Sequence, residues 1–523
     1  MTRAFSRKGS TMILPRKLSL AIVLTVLAGL FAVEVIAAEN GGLPQPTGQT
    51  APTVPKLNIK ETALGKTDGM IPEMLAVSPD SRHVAFAVKR GEKFVFIVDG
   101  QESKEYDGVG QDPPLYSADS QHVAYVAKKG DKFIVVFDGK EGEGFEEIQK
   151  GSLLHSSEMG RIAYVARSEG RWLVVVDDVT GKQYKQVERL MFTPDSRRIV
   201  YVAQDMDKWC VVVNGVEGKQ YEHLGGVAMS PDSQHVAYYG FVQGGAVLVV
   251  DGAEQDRCES IQKVVYSPDS ARVAYLGYVG KKWVVGVDGA AGKGYDSIDL
   301  DSLVFSADSQ HLVYSAWTGD KRVVVLDGVE GTEYDIVSDV TFSPDSNHLA
   351  YLAAGGGKHC VVVAGVEGKD CGCFYVRSLV PSPDSKRWGF AAVSGQKPAM
   401  IIDDVAGKGY DFVRGLVFSP DSQRAAYWAQ SEKAARVVVD GVEGAHYDFD
   451  SVVEPLVFSP DSKHVAFRAE SGAMWLINVD GAETPEYSAA VPGSRVVFDE
   501  PAKCHTLMQK EDQIILVEIE IAG

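Results

Sequence analysis

Histidine, cysteine and carboxylate are the side chains best able to hold a metal or move a proton, and in this chain most of them recur at fixed spacing. His83, His122, His235, His311, His348 and His464 each stand three residues after an aspartate in a Ser-Pro-Asp-Ser turn or a close variant. Arg161, Arg198, Arg272, Arg387 and Arg424 take that place elsewhere. Metal ligation would not tolerate arginine, so the position reads as a turn hydrogen bond or ion pair. His155, His223, His359, His446 and His505 fall off the pattern at differing points of the unit, which argues against their convergence. Cys371-Gly-Cys373 offers two soft ligands without the second pair that a tetrahedral site needs, and Cys210 and Cys360 sit in apolar runs as small buried residues do. Asp296, Asp299 and Asp301, and Asp448 with Asp450, are hard oxygen ligands suited to calcium, but their spacing matches no calcium loop and they read as solvated loop acids. Gly292-Lys293-Gly294 and Gly407-Lys408-Gly409 lack the Ser/Thr and helix of a phosphate loop. With no HExxH or GxSxG motif, the chain is expected to carry no catalytic residue, no metal and no cofactor.

The elements that position these residues come from an internal repeat. Ser-Pro-Asp-Ser occurs at Ser78, Ser230, Ser267, Ser343, Ser382, Ser419 and Ser459, with variants at Ser117, Thr193 and Ser306. A degenerate copy places Glu158 at the aspartate position, and a last copy places Pro501 there. About twelve units result, each of about 40 residues. In the unit around Val264, VVYSPDS is a strand ending in a turn, RVAYLGY a second strand, KKWVVGVDG a third, and GKGYDSI a short fourth. Proline fixes φ in the first turn, and Asp-Gly pairs mark the turn after strand three. The aromatic residues opening strand three (Phe94, Phe133, Trp172, Trp209, Trp283) are expected to pack between units.

Four strands in such a length make the blade of a β-propeller. FSPDSNHLAYLA (Phe342 to Ala353) and FSPDSKHVAFRA (Phe458 to Ala469) resemble the WD40-like repeats (PD40) of TolB-type bacterial propellers. The resemblance spans nearly all of the chain after residue 56. It implies an all-β propeller fold, with the loops joining strands two to three and four to one on one face. The chain departs from TolB in having no room for an α/β domain before the repeats, and serine replaces the motif's glycine, so a role in the Tol system does not follow. Twelve blades exceed the usual four to eight. The expected arrangement is therefore two propellers of about six blades each, residues 57–300 and 301–523, joined near Asp296 to Leu303. The last unit lacks a fourth strand, and Lys56 to Leu64 is expected to supply it by pairing with Gln513 to Ile521, removing an open edge.

The N-terminus reads as a secretory signal peptide over residues 1–38. Arg3, Arg7, Lys8, Arg16 and Lys17 precede an apolar run from Leu18 to Val33, and small residues end at Ala38. Residues 39–56 are a Gly/Pro/Thr-rich flexible linker. The expected protein is thus exported, to periplasm or extracellular space, with no membrane span after signal cleavage. The formal charge of −19 excludes nucleic acid as a partner and becomes more negative once the basic leader is removed. Against that acidity, Lys93, Lys132, Arg171, Lys208, Lys282, Lys321 and Lys358 open strand three of successive units and would form a basic belt on one face. Edge lysines that discourage strand pairing are the plainer account of them. The function expected is a non-catalytic protein-binding or scaffold module in the cell envelope, binding a protein or polar envelope component through Lys282, Lys321 and Lys358. The alternative is a propeller enzyme, a hydrolase or lyase with a metal in the central channel.

Overall fold

The computed structural model describes residues 54–432, 434–448 and 455–522. The expected signal peptide and nearly all of the linker lie outside the described residues. The described chain is all-β: twelve antiparallel sheets, and one helical turn, the 3-10 turn Leu300–Ser302. No described helix is long and apolar enough to cross a membrane.

Blade 6 shows how a unit folds. Its strands Ser260–Tyr266, Val273–Val279, Lys282–Val287 and Ala290–Tyr295 lie across the sheet in chain order. The second strand is buried along most of its length because a neighbouring blade covers each face. The Ser-Pro-Asp-Ser turn is bonded to itself: Ser267 Oγ donates to Asp269 (2.6 Å) and accepts the Arg272 N–H (2.9 Å), while Asp269 accepts the Ala271 N–H (3.1 Å). At the next turn Asp288 (φ 48) and Gly289 (φ 82) are both left-handed, the type I′ geometry that matches strand twist. One boundary differs from the sequence expectation. Ser297–Ile298 does not extend the fourth strand; it pairs with Ala316 and Trp317 and opens the next blade.

Each apolar core lies between two consecutive blades. Leu276 and Tyr295 of blade 6 pack with Tyr314 and Val323 of blade 7, and the same holds around the chain until Leu507 and Ile514 of blade 12 meet Val84 and Phe86 of blade 1. The twelve blades therefore close into one ring, which corrects the expectation of two propellers of about six blades each. Two rings would need blade 6 to cover blade 1, but blade 12 already covers that face. The irregular stretch near Asp296 to Leu303 is real and forms the 3-10 turn, yet the seam it crosses is an ordinary interblade core.

Closure is as expected. Lys56–Lys66 pairs antiparallel with Gln513–Ala522, placing Leu57 opposite Ile521 and Thr62 opposite Leu516. Lys66 lies opposite Gln513, beside the strand two-to-three hairpin, so the chain enters the ring from the Ser-Pro-Asp-Ser face. First strands of neighbouring blades touch, as do Met70–Val77 and Leu115–Tyr116 or His223–Met229 and Ser260–Tyr266. The first strands thus line a central channel, and the fourth strands form the outer rim.

Candidate functional site

The recurring histidines and arginines are turn residues. His83, His122, His235, His311 and His464 each hold, through Nδ1, the carboxylate of the Asp-Gly turn sixteen residues on, at 2.5–2.7 Å. Arg161, Arg387 and Arg424 hold the matching aspartate through Nε at 2.7–2.8 Å, in the turns Asp177-Asp178, Asp403-Asp404 and Asp440-Gly441. The other oxygen of that aspartate accepts the first N–H of strand two, as Asp99 accepts from Val84 (2.9 Å). His348 and Arg198 are exceptions, because Ala364 and Asn214 stand where their aspartates would be.

Serine at the end of each turn explains the departure from the glycine of the family motif. Ser270, Ser309 and Ser346 are left-handed (φ 67, 65 and 63), and their hydroxyls accept the N–H of Asp232, Asp269 and Asp308 of the preceding blade at 2.8–3.1 Å. Glycine would fit the backbone but could not make this interblade bond. Even the degenerate copy complies, with Glu158 N–H donating to Ser196 Oγ (3.0 Å).

The outer rim is linked in a similar way. Tyr221 and Tyr410, which follow the short fourth strands of their blades, donate to Glu254 (3.1 Å) and Glu443 (2.8 Å) on the fourth strands of the next blades. Lys293 and Lys408, from the two Gly-Lys-Gly segments, bind Glu330 and Glu443, each at 2.7 Å. Those lysines are interblade ties, and Lys408 with Tyr410 holds the Glu443 carboxyl at about 2, below its usual range. The strand-three aromatics Phe133, Trp172, Trp209 and Trp283 pack on interblade cores, as expected.

On the opposite face the predicted lysines are paired, Lys282 and Lys321 exposed and Lys358 half-buried. Lys282 Nζ donates to Asp296 (2.6 Å), Lys321 to Asp335, and Lys358 to Glu367 (2.9 Å). Hydrogen bonding to those lysines holds Asp296, Asp335 and Glu367 below the usual carboxylate range. Asp296 also accepts the Gly319 N–H of the next blade (2.9 Å), and Asp107 repeats the arrangement with Lys93 (2.6 Å) and Gly130 (2.7 Å). The face is therefore a ring of alternating charge, not a continuous positive belt. Sequence reading missed this because the acid lies fourteen residues from Lys93, Lys282 and Lys321, at the crossing to the next blade, and nine residues from Lys358, on the fourth strand.

The remaining candidates are dispersed. Asp299 caps the 3-10 turn by accepting the Asp301 N–H (3.1 Å), Asp450 lies outside the described residues, and the Asp448 side chain is not described. His155, His223, His359, His446 and His505 belong to blades 3, 5, 8, 10 and 12. Cys371 takes the place of a fourth-strand tyrosine and is buried, which pushes its thiol up to about 11; Cys373 is exposed on the first strand of blade 9. Among the described residues no three His, Cys, Asp or Glu side chains form a group able to hold a metal.

No family model matches the chain, and no curated protein matches it. Solved structures similar to it include a eukaryotic initiation factor (13% identity, TM-score 0.33, covering 62% of this chain and 96% of that one). TolB from Acinetobacter baumannii (15%, TM-score 0.22, 47% and 77%) and the tricorn protease (11%, TM-score 0.26, 79% and 58%) are further ones. At these scores nothing about activity follows from them; the propeller stands on the strand pairing and the closed ring of cores.

Proposed function

We propose that the chain is an exported, non-catalytic propeller of WD40-like, TolB-type repeats that binds a protein or other polar component of the cell envelope. The proposed surface is the face bearing Lys282, Lys321 and Lys358. The observation that carries this reading is the use made of the chemically able side chains. Most of the recurring histidines, arginines and aspartates are engaged in holding turns and joining blades, and the off-pattern histidines are spread over five blades. What the ring offers outward is a broad, repeated face, suited to a large partner. Exposed ion pairs are worth roughly 0–1 kcal/mol, so a partner's carboxylate can replace Asp296 or Asp335 at little cost. The N-terminal strand enters from the other face. The export half of the reading is supported by the basic and apolar leader, with the mature chain starting at Ala38 or Glu39; N-terminal sequencing of exported protein checks it.

The test of binding is charge reversal, Lys282→Glu with Lys321→Glu and Lys358→Glu, scored by partner recovery from a native envelope fraction at low and moderate salt. Recovery should fall, and most at low salt. Undiminished recovery by a folded triple variant removes this face from the reading.

A further inference from the structure

The channel wall is not uniform. Among the described residues, every exposed large apolar side chain on a first-strand segment lies in blades 7 to 10: Leu300, Val304, Ile336, Val376 and Phe412, from 38% exposed at Phe412 to 60% at Val376. The corresponding segments of blades 3, 4 and 6 expose Lys150, Arg189 and Gln262 instead. Water-facing apolar groups gathered on one arc of a ring are the mark of a surface that something covers.

Neighbouring blades hold this arc in shape. Lys263 of blade 6 donates to the Leu300 carbonyl (2.5 Å) at the 3-10 turn. Asp339 of blade 8 accepts the N–H groups of Arg377 (2.6 Å), Ser378 (2.7 Å) and Leu379 (3.1 Å) of blade 9. That clamp keeps Arg377 left-handed (φ 60) and holds Val376 and Arg377 at the tip of a turn. Tyr375 of blade 9 meets Phe412 of blade 10 edge-on at 6.2 Å. Between blades 7 and 8 lies a groove of about 290 Å³, lined by Val304, Phe305, Val313, Val340, Phe342 and Pro344.

Charge on this arc differs from charge on the rim. Arg377, at its turn in blade 9, and Arg414, on the first strand of blade 10, are exposed, and neither has an ion-pair partner among the described residues. The Arg414 guanidinium lies 5.6 Å from the centre of the Phe412 ring. The carboxylates on the same segments are engaged: Asp299 caps the 3-10 turn and lies with Asp301 near Lys263, and Asp339 accepts three N–H groups, so the two guanidinium groups are the charge left unpaired beside the exposed apolar surface.

We propose that the blade 7 to 10 arc is a docking groove for an extended, acidic and apolar segment of a partner protein. The proposal deepens the binding reading above and rests on it. The segment lies across the first-strand segments of blades 7 to 10, one blade after another. Apolar side chains of that segment enter the groove between blades 7 and 8, and its carboxylates meet Arg377 and Arg414. A basic segment would leave both guanidinium groups opposed by like charge, and a purely polar one would leave the apolar wall wet.

The test uses the exported chain, residues 39–523, and a capped fluorescent octapeptide of alternating Leu and Asp, with Leu/Lys and Ser/Asp octapeptides as controls. Only the Leu/Asp peptide should bind saturably. The double variant Arg377→Glu with Arg414→Glu should weaken it by at least about tenfold, Val376→Ser should weaken it less, and the double variant Arg377→Lys with Arg414→Lys should restore binding. Cys373 supplies a second readout: it is exposed beside the arc while the other five cysteines are buried, so bound peptide should slow its alkylation. All substituted side chains are exposed, and a thermal melt confirms that the variants fold. Equal affinity for the reversed variant, equal binding of either control peptide, no saturable binding at millimolar peptide, or self-association of the chain that blocks the peptide would each overturn the proposal. Peptide binding retained by the Lys282, Lys321, Lys358 triple variant, with envelope partner lost, separates the arc from the rim. Envelope partner retained by the Arg377, Arg414 variant, with peptide lost, does so in the other direction.

Discussion

The seam between blades 12 and 1 and the seam between blades 6 and 7 do the same job with different chemistry. The ordinary seam joins residues close in sequence, through an apolar core, a serine hydroxyl accepting Asp269 N–H, and Lys293 on Glu330. The closing seam joins the two ends of the propeller. Its core is also apolar, but it adds a buried histidine and an ion network. His505, 1% exposed, bonds Asp499 (2.8 Å) and the Asp80 carbonyl of blade 1 (2.8 Å). Arg82 reaches Asp499 (2.6 Å) and Glu518 (3.6 Å), and Lys60 holds Glu518 (2.6 Å). By strand register His505 occupies the place of Ala85 and Ala350, residues that bring no polar group. Local seams form at small entropic cost, whereas joining chain ends fixes one long loop. Specific polar contacts where the ring must close, and generic ones elsewhere, are the lesson of the contrast.

Deleting residues 56–66 should break the contrast outright. Loss of Leu57, Ile59 and Leu64 from the closing core costs roughly 5 kcal/mol and leaves Gln513–Ala522 as an open edge. Calorimetry and size-exclusion chromatography should show a lower melting temperature and association, while deletion of residues 41–55 changes neither. Equal melting of the two deletions would make closure dispensable.

Next in size is the histidine. His505→Ala should destabilise by about 1–3 kcal/mol in denaturant unfolding, since it removes two bonds of a buried group. The reciprocal change, Ala350→His in a seam built for a small residue, should cost a similar amount by overpacking. A neutral effect of Ala350→His would show that the seams are interchangeable.

A smaller effect separates strain from bonding within an ordinary seam. Ser309→Ala keeps the left-handed backbone but loses the bond from Asp269 N–H, and should cost about 1 kcal/mol. Ser309→Gly loses the same bond but relieves the backbone, so its unfolding midpoint should stay near that of the native chain. If Ser309→Ala unfolds like the native chain, the serine is not there for its hydroxyl, and if the glycine variant falls further than the alanine variant, the left-handed backbone carries no strain to relieve.

The smallest single effect is expected at one outer tie. Glu443, held at about 2 by Lys408 and Tyr410, is depressed in the folded state. Its contribution is therefore complete above the unfolded carboxylate value of about 4.3 and is lost as pH falls toward 2. Glu443→Gln should cost less than about 1 kcal/mol at pH 7, because the pair is partly solvated. Melting temperatures of the native chain and the Glu443→Gln variant should converge as pH drops from about 5 to about 2. A gap that stays constant over that range would mean that charge at Glu443 does not matter.

The blade itself was legible in the sequence because its determinants are local. Proline and aspartate within four residues set the first turn, Asp-Gly sets the I′ turn, and apolar runs between them can only be buried strands. The missing fourth strand of the last unit even pointed to Lys56 to Leu64 as its replacement. The number of rings was not legible. Every blade carries the same apolar faces, and what decides that blade 12 covers blade 1 is the small angle between successive blades, accumulated around the circle. The pairing of Lys282 with Asp296 was hidden for a related reason: the partner lies across a chain crossing whose path the repeat does not state. Sequence alone thus determined the unit, its turns and the edge it lacked. Tertiary structure decided the closure, the neutralisation of the lysine face, and the placing of Leu300, Ile336, Val376 and Phe412 on the first-strand segments of four consecutive blades, because only ring geometry brings residues about 40 apart in sequence onto neighbouring strands.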